Sequence, residues 1–242
     1  MTTTSIPEHL QIAFIGGGNM ASAILGGLVR QGMAPARIRV VEPFAETRAR
    51  LQQEFGVQVL ETADASMAQA DVVVWAVKPQ QFEEATRPVA PHTGKALHLS
   101  VAAGIPASAL TRWLGTERLV RAMPNTPALV GQGMTGLFAG AGASADDRAV
   151  IDALLAPTGQ RMWLEQEALI DSLMAISGSG PAYVFYFIEA LVRGGVELGL
   201  TAEQSKILAA QTFAGAAALV QGSSDAPEVL RQRVTSKGGT TH

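Results

Sequence analysis

A glycine-rich turn between a predicted strand and a predicted helix restricts the fold more than any other feature of this sequence. Residues 12–24 read IAFIGGGNMASAI, so that Gly16-x-Gly18-x-x-Ala21 directly follows four apolar residues and directly precedes a helical pattern. Gly16 permits a tight turn, Gly18 lets the backbone approach a pyrophosphate, and Ala21 lets the helix pack close to the strand. The N–H groups and the partial positive charge at the start of a helix favour phosphate. In this context the pattern predicts a dinucleotide-binding turn rather than a simple tight turn.

The segments that follow alternate between strand and helix patterns. Short apolar runs lie at residues 10–15, 37–42, 71–77, 95–101 and 118–123. The run DVVVWAV at 71–77 is apolar on both faces, which is typical of a central parallel strand that helices cover on both sides. This alternation predicts an N-terminal Rossmann-like, doubly wound α/β sheet. The runs at 133–139 and 160–165, with a helix near 144–155 between them, extend the predicted sheet at one edge.

After residue 166 the sequence predicts only helices. Ser179 with Pro181 indicates a helix start, since a serine can cap the first turn and proline lacks only an N–H that has no partner there. Thr201 with Gln204 fits a capping box, and a third, shorter helix follows Pro227. We therefore predict a disordered lead at 1–9, a dinucleotide-binding Rossmann domain at 10–166 and a helical domain at 167–242.

The two long helices of the C-terminal domain carry more apolar surface than they can bury on each other. Residues 183–188 (YVFYFI) point all round the first helix, and the second is rich in alanine from Ala209 to Ala218, which lets another backbone approach closely. We expect the same domain of a second chain to cover these faces, giving a homodimer that can assemble further. The alternative is that the sheet domain covers them.

Composition excludes several kinds of site and partner. The chain has no cysteine, which excludes disulfides, thiolate nucleophiles and cysteine-ligated metals, and its four histidines never fall four apart on a helix. We therefore expect no metal. A net charge of −3 gives no electrostatic reason to expect nucleic acid. Residues 1–9 are polar, and no uninterrupted apolar run reaches the roughly 18 residues of a membrane span, so we expect a cytoplasmic protein without a membrane partner.

Glu42 ends the second predicted strand, at the edge where open α/β sheets bind their ligands. A carboxylate at this position can accept hydrogen bonds from the ribose 2′-OH of a dinucleotide and repels a 2′-phosphate, which favours NADH over NADPH. In the alternative interpretation, Glu42 turns outward and Arg37, Arg48 or Arg50 meets a phosphate.

Two further loops follow strands at the same predicted edge. AVKP at 76–79 follows the fourth strand, and its lysine is a catalytic acid, a phosphate contact or a solvated loop residue. SVAAG at 100–104 follows the fifth strand, and its small residues leave room for a nicotinamide ring. At the other end of the chain, TSKGGTT at 235–241 has the small residues and hydroxyls of an anion-binding nest, although such a tail can also simply fray.

Taken together, these segments resemble pyrroline-5-carboxylate reductase, the family of the last step of proline biosynthesis. The motifs that carry the resemblance run in the family's order along nearly the whole chain: IGGGNMA, WAVKPQ, SVAAGI, RAMPNTPA, SGSGPAYVF and VTSKGGTT. The resemblance implies reduction of 1-pyrroline-5-carboxylate to L-proline by hydride transfer from NADPH or NADH. It also implies a C-terminal dimerisation domain whose helices interleave between two chains.

The resemblance further implies roles for the residues that match the family's motifs. The GGTT segment, placed at the dimer interface, binds the substrate carboxylate through backbone N–H groups, and Thr241 is the catalytic residue whose hydroxyl hydrogen-bonds the ring nitrogen. The implied substrate contacts are Ser236, Gly239, Thr240 and Thr241. The implied cofactor contacts are Gly16, Gly18, Asn19, Met20, Ala21, Ala76, Val77, Lys78, Pro79, Ala102, Ala103 and Gly104, and the argument from strand ends adds Glu42.

Three departures from the family's pattern bear on these roles. Ala63 stands where many members have asparagine near the adenosine, and Lys237 stands where proline is common. The sequence stops at His242, where the family usually continues into a further helix, as a truncated chain would.

Two other functions compete with this interpretation. A β-hydroxyacid dehydrogenase shares the plan of a Rossmann domain followed by helices, but neither Lys206 nor Lys237 matches that family's catalytic lysine motif. A nucleotide-binding module that has lost catalysis is the second, and oxidation of the cofactor by the cyclic imine would exclude it.

Overall fold

The computed structural model describes residues 6–7, 9–235 and 239, which include an eight-stranded sheet of order β3-β2-β1-β4-β5-β6-β7-β8. The strands are β1 (Ile12–Ile15), β2 (Ile38–Val41), β3 (Gln58–Leu60), β4 (Val72–Trp75), β5 (Leu97–Ser100), β6 (Leu119–Met123), β7 (Gly133–Ala139) and β8 (Gly159–Trp163). Only the β6–β7 pair is antiparallel among these. The predicted doubly wound sheet is confirmed, and so is its extension by the runs at 133–139 and 160–165.

Helices from the N-terminal part of the chain cover both faces of this sheet. These helices are α1 (Asn19–Arg30), α2 (Ala45–Phe55), α3 (Phe82–Thr86), α4 (Ala107–Leu114), α5 (Ala145–Leu155) and α6 (Leu169–Leu173). The helices that follow along the chain are α7 (Gly180–Glu197), α8 (Ala202–Gly222) and α9 (Pro227–Arg233). Alternate strand residues face opposite sides, so Phe14 packs in one core with α1 and α5, and Ile15 packs in the other with α3 and α4. Each large apolar side chain buried in this way contributes about 1.5–3 kcal/mol.

The chain divides between residues 179 and 180 into two compact units, Met1–Ser179 and Gly180–His242. Residues 167–179, which the sequence analysis assigns to the helical domain, fall in the first unit because α6 packs on β7. A Cβ on Gly136 of β7 would meet the side chain of Leu173 at 2.5 Å. The predicted boundary after residue 166 precedes this division and stays a prediction. The predicted disordered lead lies largely outside the described residues.

The predicted N-cap at Ser179 is wrong. Ser179 has helical backbone angles, φ −86° and ψ −24°, and its N–H donates to the carbonyl of Met174 at 3.0 Å, so it closes a π-helical segment, Met174–Gly178. Proline at position 181 has no N–H to offer the carbonyl of Ser177, four residues earlier. The side-chain amide of Asn125, just after β6, donates to that carbonyl at 2.9 Å instead. A donor distant in sequence thus satisfies the carbonyl that Pro181 leaves without a helical partner.

The C-terminal unit begins its second helix as predicted. The hydroxyl of Thr201 accepts from the N–H of Gln204 at 3.1 Å, and the side chain of Gln204 accepts from the N–H of Thr201 at 2.9 Å, so the capping box is confirmed. α7 and α8 pack on each other, with the rings of Phe187 and Phe213 6.3 Å apart.

The aromatic side chains of α7 are largely exposed in the single chain. Tyr183, Phe185 and Tyr186 are 57%, 62% and 63% exposed. Among the described residues, the helical stretch Leu169–Glu197 is long and apolar enough, by length and composition alone, to cross a membrane. Exposed apolar surface of this extent is typical of an interaction surface.

Candidate functional site

A cavity of about 630 Å³ lies beyond the carboxyl ends of β1, β2, β3 and β4. Parallel strands bring the turns that follow them to one edge of the sheet, and this volume suits a cofactor or small ligand. The predicted cofactor contacts in its lining are Gly16, Gly18, Glu42, Ala76, Val77 and Lys78. The structure therefore brings together residues from three separate motifs of the sequence.

The other predicted cofactor contacts do not line this cavity. Asn19 and Met20 lie in the first turn of α1, whereas Ala21 is fully buried in the core beneath that helix. Pro79 follows Lys78, and the segment 102–104 follows β5, next to β4 in the sheet. The cavity thus gathers two of the predicted phosphate contacts, Gly16 and Gly18, with the predicted ribose contact Glu42. The predicted contacts at 102–104 lie further along the same sheet edge.

The glycine-rich turn has the geometry that a pyrophosphate requires. Gly16 has φ +92°, a backbone conformation that favours glycine. A Cβ there would also lie 2.6 Å from the carbonyl oxygen of Ala76, so both the backbone conformation and the available space disfavour a larger residue. A Cβ on Gly18 would meet nothing within 4 Å, which leaves open space at the start of α1. Gly18 caps this helix without any side-chain hydrogen bond, and the first turn of α1 holds no acidic residue. The residues present therefore fit the phosphates of a dinucleotide.

Glu42 is turned inward, toward the glycine-rich turn. Its side chain is only 6% exposed. One carboxylate oxygen accepts from the N–H of Gly17 at 2.8 Å, and the other accepts from the N–H of Phe44 at 2.9 Å. The carboxylate therefore ties the turn after β1 to the turn after β2.

Phe44 is a lining residue that the sequence analysis missed. It is 67% exposed and stands at the cavity beside Glu42 and Thr47. Its ring offers a flat apolar surface of the kind on which a nucleobase can stack. The signal in the sequence was an aromatic residue two positions after an acidic strand end, where a solvated turn is otherwise expected.

A buried ion pair supports the loop between β5 and α4, and the sequence analysis missed this pair as well. Arg121 of β6 is 7% exposed and donates to the carboxylate of Glu167. The same oxygen accepts from the N–H of Ala107, the first residue of α4, at 2.6 Å. Glu167 therefore fixes the end of the loop that begins at 102. A charged residue within an apolar strand was the available signal.

His98 is buried behind the site and plays a structural part. It is 1% exposed; its Nδ1 accepts from the indole N–H of Trp75 at 2.9 Å, and its Nε2 lies 3.1 Å from the carbonyl of Thr93. Burial lowers the pKa of His98 from 6.5 to about 4. The hydrogen bond to the Thr93 carbonyl acts to raise this pKa, and the positive charge of Arg118 acts to lower it. The ring is therefore neutral at pH 7, with its proton on Nε2.

The predicted substrate loop falls mostly beyond what the structure describes. Ser236, Thr240 and Thr241 lie outside the described residues, and Gly239 is exposed. Within the described part of the chain, no group of three or more histidine, aspartate or glutamate side chains is arranged to hold a metal ion.

Two family profiles match the chain. One, described as pyrroline-5-carboxylate reductase dimerisation, matches residues 167–242, and the other, described as NADP oxidoreductase coenzyme F420-dependent, matches residues 11–104.

Characterised relatives match the chain over nearly its whole length. A pyrroline-5-carboxylate reductase of Pseudomonas aeruginosa is 46% identical over 96% of this chain and 85% of its own length. The solved pyrroline-5-carboxylate reductase of Coxiella burnetii superposes with a TM-score of 0.88 at 38% identity, covering 96% of this chain and 87% of that one. A Plasmodium falciparum pyrroline carboxylate reductase, solved with NADP bound, gives a TM-score of 0.85 at 28% identity, covering 97% and 87% of the two chains.

Proposed function

This chain belongs to the pyrroline-5-carboxylate reductase family, and we propose that it reduces 1-pyrroline-5-carboxylate to L-proline with NADH or NADPH, the last step of proline biosynthesis. The observation that carries the proposal is the cavity at the glycine-rich turn, since it joins an open phosphate site at Gly18 to a ribose-binding position at Glu42. Relatives of this name match both the domain that builds the cavity and the helical domain that follows.

The reaction needs a hydride at one atom of the substrate and a proton at the next. A reduced nicotinamide held in the cavity would provide the hydride for C5 of the cyclic imine, and the ring nitrogen would take a proton to become a secondary amine. An imine can take this proton from water, so the chain needs no strong acid. Its contribution is therefore positioning and electrostatics.

Four parts of this chain share that positioning. Gly16 and Gly18 hold the pyrophosphate at the start of α1, and Glu42 holds the adenosine ribose. Residues 102–104, kept in place from the α4 side by Glu167, leave space for the nicotinamide ring. The 236–241 segment binds the substrate carboxylate through backbone N–H groups, and Thr241 hydrogen-bonds the ring nitrogen.

The dimerisation domain supplies the remaining part of the proposal. The chain works as a homodimer through α7 and α8, because the exposed aromatic face of α7 needs a covering surface. A second copy provides one without a membrane, although Leu169–Glu197 passes the length and composition test for a span. A cytoplasmic location stays a prediction, which cell fractionation tests.

The test is the oxidation of NADH and of NADPH in the presence of racemic 1-pyrroline-5-carboxylate, followed by loss of nicotinamide absorbance. We expect oxidation with L-proline as the product. The proposal would be refuted if the protein binds a cofactor but oxidises neither NADH nor NADPH with this substrate. That outcome would favour a dinucleotide-binding module without catalysis.

A further inference from the structure

The choice between the two nicotinamide cofactors depends on one chemical group. NADPH carries a phosphate on the adenosine ribose where NADH carries a hydroxyl. In a sheet of this kind the ribose lies beyond the end of the second strand, which is where Glu42 stands. A carboxylate accepts hydrogen bonds from a hydroxyl, whereas it repels a phosphate of the same sign.

Glu42 has little freedom to turn away from the ribose position. Both of its oxygens accept backbone N–H groups, from Gly17 and from Phe44, and the side chain is buried against the turn it holds. Rotating it outward would break two hydrogen bonds and leave two N–H groups without their acceptor. Each oxygen keeps a further lone pair, so the carboxylate can still accept from a ribose hydroxyl.

The arginine nearest this position is already committed to acceptors of the protein. Arg48 donates to the carbonyl oxygens of Glu42 and Pro43 at 2.8 and 2.7 Å. Its other terminal nitrogen pairs with Glu61 at 3.1 Å. A 2′-phosphate would have to take Arg48 from these three partners.

The two other arginines that could have met a phosphate are occupied in the same way. Arg50 donates to the carbonyl of Gly17 at 3.1 Å and pairs with Glu54 at 3.0 Å. Arg37 donates to the carbonyls of Pro7 and Leu10. The interpretation in which Glu42 turns outward and an arginine reads a phosphate therefore has no support in these contacts.

The other charged residues of the cavity wall also disfavour a 2′-phosphate. Its described lining holds three carboxylates, Glu42, Glu61 and Glu84, and one cation, Lys78. Ala63 lines the cavity with a methyl group and offers no side-chain donor to a phosphate. We infer that this cavity selects NADH over NADPH, an inference that rests on the proposed use of a nicotinamide cofactor.

The experiment measures dissociation constants for NADH and NADPH separately, by calorimetric titration of the full chain without substrate and at fixed ionic strength. We expect NADH to bind more tightly by roughly tenfold or more, because a phosphate would lie near an unscreened carboxylate. Equal affinities, or tighter binding of NADPH, would overturn the inference.

Two variants and a control locate the cause. Glu42→Gln removes the charge at the ribose and should lower the preference for NADH by roughly tenfold. Glu61→Gln removes the negative charge that pairs with Arg48 and should lower the preference for NADH by roughly two- to fivefold. The effect is smaller than that of Glu42→Gln because the Glu61 side chain is 70% exposed. Glu117→Gln removes one charge before β6, at the amino end of that strand and outside the cavity lining, and should leave the ratio unchanged.

Within the described part of the chain, the Glu61 side chain hydrogen-bonds Arg48 and not the glycine-rich turn, so its variant tests the inference even if Glu42→Gln fails to fold. A wild-type ratio retained in both cavity variants, or shifted equally by Glu117→Gln, would refute the inference. Selective NADH binding without imine reduction would refute only the proposed function. Imine reduction with a preference for NADPH would refute only the selectivity.

Discussion

The buried pair of Trp75 and His98 makes the stability of the sheet depend on pH in a defined range. The perturbation is acidification from pH 7.5 to pH 5. In the folded protein the pKa of His98 is about 4, against 6.5 for an exposed histidine. Between these two values the unfolded chain binds a proton that the folded chain refuses. The free energy of unfolding is therefore fully maintained above pH 6.5 and falls as the pH drops toward and through 4.

The size of the effect follows from the two pKa values. Linkage between them gives a loss of about 2 kcal/mol by pH 5 and about 3 kcal/mol by pH 4. Such a loss is large against a typical free energy of unfolding of about 5–15 kcal/mol. Protonation would also place a second N–H at Nδ1, directly against the indole N–H of Trp75.

Urea unfolding at pH 7.5 and pH 5, in the wild type and in His98→Gln, measures this contribution. Glutamine offers one acceptor and one donor to the same partners but does not titrate. We expect the wild type to lose about 2 kcal/mol more than the variant over this interval. Asp147, whose pKa is lowered despite desolvation because Arg118 and Ser144 donate to it, affects both proteins alike. Parallel losses in the two proteins would refute the reasoning.

Three further predictions concern the active site, the packing and the dimer. Thr241→Ala should lower turnover at least about tenfold with unchanged cofactor affinity, whereas Thr241→Ser should retain most of the rate; a matching loss of cofactor affinity would count against the assigned role. Gly27→Ala should lower stability by about 1 kcal/mol, seen as a lower Tm, because the new Cβ would lie 2.5 Å from Pro157 and overpacking outweighs the helix propensity of alanine. Phe185→Lys should weaken the dimer at least about tenfold in sedimentation, and Val130→Lys, also largely exposed but on the sheet unit, should not; an unchanged dimer dissociation constant in Phe185→Lys would exclude this face.

The sheet was predictable because its signals are local. Strand patterns such as 71–77 and the glycine-rich turn at 16–18 report periodicity and backbone conformation that depend on neighbouring residues. The capping box at Thr201 is local in the same sense, and it is confirmed.

The errors and omissions arise where distant residues decide the outcome. Ser179 is not a cap because the helical backbone continues through it from the π-helical segment, and the Ser177 carbonyl that Pro181 leaves without a helical donor is satisfied by Asn125, 52 residues earlier. The pairing of Arg121 with Glu167 joins a strand to a segment 46 residues later. Sequence also suggested a carboxylate at the ribose, but the two backbone N–H groups that fix Glu42 become visible only when the turns after β1 and β2 meet.

The hydrogen bond between Glu42 and Gly17 has a consequence for protein engineering. In the proposed binding site, one side chain would serve both the sugar end and the phosphate end of the cofactor, so the two ends could not be redesigned independently. A substitution of Glu42 that is meant to admit NADPH also removes the acceptor of the Gly17 N–H in the glycine-rich turn. We expect strong epistasis along such a path: a substitution that supplies a new acceptor for Gly17 has to come first, and only then does a cation at position 42 become useful.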